Sequence, residues 1–130
     1  MMHKILLIAI VLLLAGCGEQ SSPSTPAQPP DEKAAIAALG QINQAQKDFI
    51  RRNRRYALGY DDLIADHLLQ AQPAAQGYRI DMKPSPDGIH YTISAAPADA
   101  SSQARHLFTD ETGIIRGEQG KDATAGSPAL

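Results

Sequence analysis

Tyr78-Arg79-Ile80-Asp81-Met82-Lys83-Pro84-Ser85-Pro86-Asp87-Gly88-Ile89-His90-Tyr91-Thr92-Ile93-Ser94 is the stretch in which the periodicity of this chain changes. Tyr78, Ile80 and Met82 alternate with Arg79, Asp81 and Lys83, and Ile89, Tyr91 and Ile93 alternate with His90, Thr92 and Ser94. A two-residue period belongs to a strand that buries one face. Asp87-Gly88 sits between the runs, where glycine tolerates the positive φ of a tight turn. The segment predicts an antiparallel hairpin. Leu107-Phe108-Thr109 and Ile114-Ile115-Arg116, joined by Asp110-Glu111-Thr112-Gly113, predict a second one. From Gly117 onward the residues are polar and small, so the tail is either loose or a loop pinned to the sheet edge.

Upstream of residue 76 the period is helical. Pro30-Asp31-Glu32 makes a helix start, since Asp31 can cap free amides and acids favour the positive end of the helix dipole. No proline follows until well past Arg55, and Ala35, Leu39, Ile42, Phe49 and Tyr56 share a stripe, with Ile36 and Ile50 beside it. Gln46 and Asn53 interrupt that stripe, which implies that one end of the helix packs less completely. After Gly59, Asp61 or Asp62 can cap a second, shorter helix carrying Leu63, Ile64, Leu68 and Leu69, with Pro73 as its stop. The predicted fold is α+β: a long N-terminal amphipathic helix laid on a small antiparallel sheet of about four strands. Leu39, Ile42, Phe49, Ile80, Tyr91, Ile93 and Leu107 are its predicted core.

The N-terminus carries an address. His3-Lys4, an apolar run from Ile5 to Ala15, then Gly16 and Cys17 follow the layout of an export signal. Eleven apolar residues are short of the roughly 20 that a transmembrane helix needs. Leu14-Ala15-Gly16-Cys17 resembles the lipobox of bacterial lipoproteins, which implies that residues 1–16 are a signal peptide and that the Cys17 thiol receives a diacylglyceryl group. Two or three acyl chains, at about 0.8 kcal/mol per buried CH₂, make such anchoring effectively permanent. Residue 18 is glycine rather than aspartate, and by the same resemblance this favours the outer membrane, facing the periplasm. Residues 17–30 hold the lipidated cysteine and a tether with four prolines and no large aliphatic side chain. In polyproline geometry, at about 3.1 Å per residue, the tether reaches roughly 40 Å. Residues 31–130 form the folded domain.

Composition narrows the partners. The 130 residues carry 12 Lys+Arg against 14 Asp+Glu, a net charge of -2, which gives no reason to expect nucleic acid. Cys17 is the single cysteine, so disulfide frameworks and Cys-rich zinc sites are excluded. The one cationic cluster is Lys47, Arg51, Arg52, Arg54 and Arg55. Cations near a helix C-terminus offset its dipole, and the same cluster is a candidate contact for an acidic polymer, lipid headgroups or a partner protein. Asp62, Asp66 and His67 have a carboxylate and imidazole spacing that a divalent metal could use if His90 or His106 supplied a further ligand. Solvated helix residues explain the same pattern, and no metal or other cofactor is predicted. A hydrolase needs a nucleophile, a base and an orienting acid on a rigid frame. The serines fall mainly in the tether, near Ala100 and in the tail, so no enzyme is predicted.

The order of features over about residues 34 to 130 resembles the soluble domain of type IV pilins and of the pseudopilins of type II secretion. The resemblance is carried by Tyr56-Ala57 followed by Leu63, by Gly77-Tyr78-Arg79-Ile80, by Tyr91-Thr92-Ile93-Ser94-Ala95-Ala96-Pro97, and above all by Arg105-His106-Leu107-Phe108-Thr109-Asp110-Glu111-Thr112-Gly113-Ile114-Ile115-Arg116, with Ser127-Pro128 in the tail. It implies a pilin-like domain. Pilins begin with an apolar helix that packs the filament core, and here a lipobox and a tether stand in its place. The expected activity is therefore that of a non-catalytic binding or structural module in the bacterial envelope, held to the membrane through Cys17 and contacting an unidentified envelope protein or polymer. Two alternatives are an accessory lipoprotein of a pilus or secretion machine and a metal-binding lipoprotein or small metal-dependent enzyme.

Overall fold

Asp31 begins the first helix in the computed structural model of the protein, which describes residues 29–130. Its carboxylate accepts a hydrogen bond from the Ala34 N–H at 2.9 Å, satisfying one of the amides a helix start leaves open. The helix, α1, spans Glu32–Asn53 and ends at Arg54, which takes a left-handed conformation (φ 59°) and donates its N–H to Ile50 O. Ala35, Ala38, Leu39, Ile42, Ala45 and Phe49 are buried along one face. Cys17, the signal peptide and nearly all of the tether lie outside the described residues.

The second helix is shorter than its sequence implies. α2 spans Tyr60–Ala65 and is preceded by Gly59, which offers no side-chain cap. Neither Asp61 nor Asp62 caps it as expected: Asp62 lies inside the helix and reaches back to accept from the Leu58 N–H at 2.9 Å, which ties down the preceding loop. His67 then turns left-handed (φ 58°), which stops the helix before Leu68 and Leu69. Both leucine amides fold back onto Leu63 O, and Leu69 becomes buried without being helical.

Four strands follow: β1 (Tyr78–Pro84), β2 (Tyr91–Pro97), β3 (Arg105–Asp110) and β4 (Arg116–Gln119). They form an antiparallel meander in the order β1-β2-β3-β4. The first hairpin forms where the alternation predicts it, with Ile80 opposite Ala95 and Met82 opposite Ile93. Gly88 supplies the positive φ of its turn (71°), but Ile89 lies in that turn and is 57% exposed rather than part of the inward face.

The second hairpin is displaced along the chain. Asp110 accepts from both the Thr112 amide and its hydroxyl, and Gly113 closes the turn at φ 75°, so the bend extends through Ile114 and Ile115. The partner strand is the polar Arg116-Gly117-Glu118-Gln119 instead. Gly117 fits there because Leu130 covers it: a Cβ on Gly117 would stand 2.9 Å from Leu130 Cδ2. The tail is thus pinned, with Ala129 bridged to Arg116, Gly117 N–H donating to Pro128 O and Leu130 N–H to Ile115 O.

The core lies between α1 and one sheet face. Leu39, Ile42, Leu63, Ile93, Leu107 and Tyr91 are all at most 1% exposed, and the Tyr56 and Tyr91 rings meet edge to face at 4.7 Å. Ile80, predicted as core, is only half-buried because β1 is an edge strand.

Candidate functional site

Gln46 is completely buried. Its Oε1 accepts from Ala57 N–H at 2.8 Å and its Nε2 donates to Ala57 O at 3.2 Å, while Met82 Sδ lies at 3.2 Å from the same nitrogen. This end of α1 is therefore not loosely packed, as a polar break in the stripe implies. The amide clamps the chain that leaves the helix, satisfying a buried donor and acceptor that have no strand or helix partner.

One turn earlier Asn43 builds a second polar bridge. Its Nδ2 donates to Thr109 Oγ1 at 2.8 Å and its Oδ1 accepts from the Tyr91 hydroxyl at 2.9 Å, so α1, β2 and β3 are tied together inside the core. Each of the three side chains is hydrogen-bonded to another of the three. Such a network specifies how the helix sits on the sheet. The sequence carried a signal for it, since Asn43 and Gln46 are three residues apart on the stripe that buries Leu39 and Ile42.

Two tyrosines respond to this interior. Burial, then the neighbouring charges of Tyr56, Glu111 and Asp110, raises the Tyr91 hydroxyl well above its ordinary value. Tyr60, whose buried hydroxyl has no partner among the described residues, is pushed up to about 12, first by burial and then by the Asp81 charge. A phenol whose folded pKa lies above its unfolded value stabilises the fold fully below pH ~10 and loses that contribution as pH rises through the folded value. Urea midpoints should therefore hold steady from pH 8 to about 10 and then fall. Tyr60→Phe should shallow that fall without a cost at pH 8, because it removes only an unsatisfied group. An alkaline slope indifferent to Tyr60→Phe would refute this.

The cationic cluster lies at the far end of α1, and all five side chains are exposed. Arg51 pairs with Asp48, whose carboxyl sits below its usual range because Gln44, then Arg51 and Arg52, favour the charged form. Arg52 donates to Asp66 O at 3.3 Å. Arg55 approaches Asp62 at 3.6 Å and lies 5.6 Å from the centre of the Phe49 ring. Lys47 reaches toward the β3–β4 turn, where a Cβ on Gly113 would stand 2.9 Å from its Nζ. Arg54 is the left-handed residue that ends α1. The cluster is thus assembled on one end of the molecule, where Arg51 pairs within α1, Arg52 ties α1 to the loop after α2, and Arg55, just past α1, approaches α2.

The histidines are dispersed. His90 Nδ1 lies 2.7 Å from Glu111 and His106 Nδ1 lies 3.0 Å from Asp122, while Asp66 accepts from Asn53 at 2.8 Å. Among the described residues no group of three or more His, Asp or Glu side chains converges as metal ligands would. His106 and Asp122 instead edge a shallow groove of 370 Å³ on the outer sheet face, beside Lys83, Thr92 and Ser94.

At the other end of the domain, Pro29 and Pro30 enter beside Gln76 and Gly77. Asp31 N–H donates to Gln76 O at 2.9 Å. Gly77 has φ 72°, and a Cβ there would stand 2.6 Å from Pro30 Cα, so only glycine lets the incoming segment cross so closely. Among the described residues no helix is long and apolar enough to cross a membrane. The chain matches no family model, no curated protein and no solved structure.

Proposed function

We propose that this protein is a lipid-anchored envelope lipoprotein acting as a non-catalytic binding module, on the outer membrane and facing the periplasm. Cys17 holds the lipid, the proline-rich segment spaces the domain from the bilayer, and a pilin-like α+β domain presents the C-terminal end of α1 to an envelope protein or anionic polymer. The observation that carries this reading is the polarity of the domain. The tether enters at Pro30, and the arginines stand at the opposite end of a 22-residue helix, about 33 Å away at ~1.5 Å per residue. A chain anchored at one end displays the other. The helix followed by a four-stranded meander supports the pilin-like layout. The tether in place of an apolar N-terminal helix favours binding over filament assembly.

The experiment has two arms. Cys17→Ser should leave an uncleaved or soluble chain on membrane fractionation, because no other side chain can form the thioether; a fully processed variant retained in the membrane would defeat the anchoring half. Changing Arg51, Arg52, Arg54 and Arg55 together to Gln should abolish partner capture from native membranes. Stability should shift only slightly, since exposed ion pairs contribute about 0 to 1 kcal/mol each. Undiminished capture would return the cluster to a purely structural role.

A further inference from the structure

The two edges of the sheet are treated differently. β4 is covered by the tail through the Arg116–Ala129 bridge, whereas β1 pairs on one side only. Ala98 N–H donates to Gly77 O and Ser85 N–H to His90 O, so the odd-numbered residues of β1 turn their backbone groups toward β2 and the even-numbered ones turn them outward. The Tyr78 amide finds Ala75 O. The N–H groups of Ile80 and Met82 and the carbonyls of Tyr78, Ile80 and Met82 have no partner among the described residues. An unpaired row of this kind is a template for a further strand.

We propose that the partner of this edge is the β1 strand of a second copy, paired antiparallel about Ile80 so that two four-stranded sheets become one of eight strands. In that register Ile80 exchanges both backbone bonds with its own copy, and each Met82 N–H donates to the other chain's Tyr78 carbonyl. Arg79 then stands directly opposite Asp81 of the second copy, twice per dimer, in the closely spaced non-hydrogen-bonded position. Unlike charges opposite each other stabilise a ladder, and an arginine fork suits a carboxylate. On the other face the half-buried Ile80 comes opposite its copy and the half-buried Met82 opposite the buried Tyr78, so the apolar surface gained is that of Ile80 and Met82.

The charges also select the register. Pairing about Asp81 would oppose two aspartates and set Arg79 against Lys83. Pairing about Met82 would oppose Asp81 and Lys83 favourably and makes as many backbone bonds, since Pro84 has no N–H and the Tyr78 amide is already given to Ala75 O, but it sets the Pro84 ring instead of an N–H against the other chain's Ile80 carbonyl. Within one chain Asp81 already lies 3.5 Å from Lys83, both well exposed, so it remains accessible to a second cation.

Charge reversal tests the pairing. Sedimentation velocity on the full chain in detergent, over micromolar to millimolar concentrations, should show a monomer–dimer equilibrium. Arg79→Asp or Asp81→Arg alone should weaken it at least about tenfold, since each turns two attractive pairs into repulsive ones. Arg79→Asp combined with Asp81→Arg should restore it, and each single variant should keep the parent's circular dichroism spectrum, so that its loss of pairing is not a loss of fold. Two chains sharing a micelle by chance would be indifferent to these changes, so insensitivity overturns the proposal. So does a chain that stays monomeric, leaving the edge to water or to another protein's strand. Rescue by Asp81→Arg with Lys83→Asp, but not by the Arg79 and Asp81 swap, would overturn the Ile80-centred register.

Discussion

Replacing Phe49 by alanine should lower the unfolding free energy by about 3 to 5 kcal/mol, a large share of what a domain of this size possesses. Phe49 is 4% exposed, on the last buried turn of α1, and its ring is overlain by the Arg55 guanidinium. The backbone around it is committed elsewhere. Ala57 is held by Gln46, and Arg54 is fixed as the left-handed cap, so the site cannot collapse to fill the cavity. Urea unfolding of the chain and the variant measures the loss, with Gln28→Ala in the tether as the neutral control. A midpoint unmoved by the loss of Phe49 would mean that the helix does not pack on the sheet through this face.

Gln46→Leu should cost nearly as much, about 2 to 5 kcal/mol, although it makes the core more apolar. The leucine fills much of the space but strands the Ala57 N–H and C=O, two buried groups whose loss of partners costs about 1 to 3 kcal/mol each. Gln46→Glu distinguishes polarity from volume. As a carboxylate it can accept from Ala57 N–H but cannot donate to Ala57 O, and burial raises its folded pKa above the unfolded value near ~4.3. Its protonated form restores a donor, so this variant's deficit relative to the parent should be smallest at acid pH and grow as pH rises through the raised pKa. A Gln46→Leu variant as stable as the parent would show that the clamp contributes nothing.

These two effects also mark where sequence reasoning is weak. Phe49 is legible because an aromatic on an apolar stripe has a single physical destination. Gln46 on the same stripe looks like a defect until its partner is known, and that partner is a backbone 11 residues away. Asn43 is harder still, since Thr109 is 66 residues distant and on a strand whose own alternation hides the hydroxyl's role. The cationic cluster is visible as five residues in a nine-residue span. That Asp48, Asp62 and the Asp66 carbonyl engage three of them depends on where α1 ends and α2 begins.

Local physics in the sequence was enough to determine the start of α1 at Asp31, the helical stripe, the hairpin over residues 78–97 and the α+β class, because capping and side-chain period act within a few residues. Tertiary structure alone decided the rest. Ile114-Ile115 has the better strand composition, yet Gly117 occupies β4 because the tail and Leu130 close over a residue with no side chain. Leu68 and Leu69 continue a helical pattern, yet folding back onto Leu63 brings Leu69 into the core and ends α2 early. In each case a contact made by a distant segment outweighs a local preference of well under a kilocalorie per residue, which is the scale on which propensities differ.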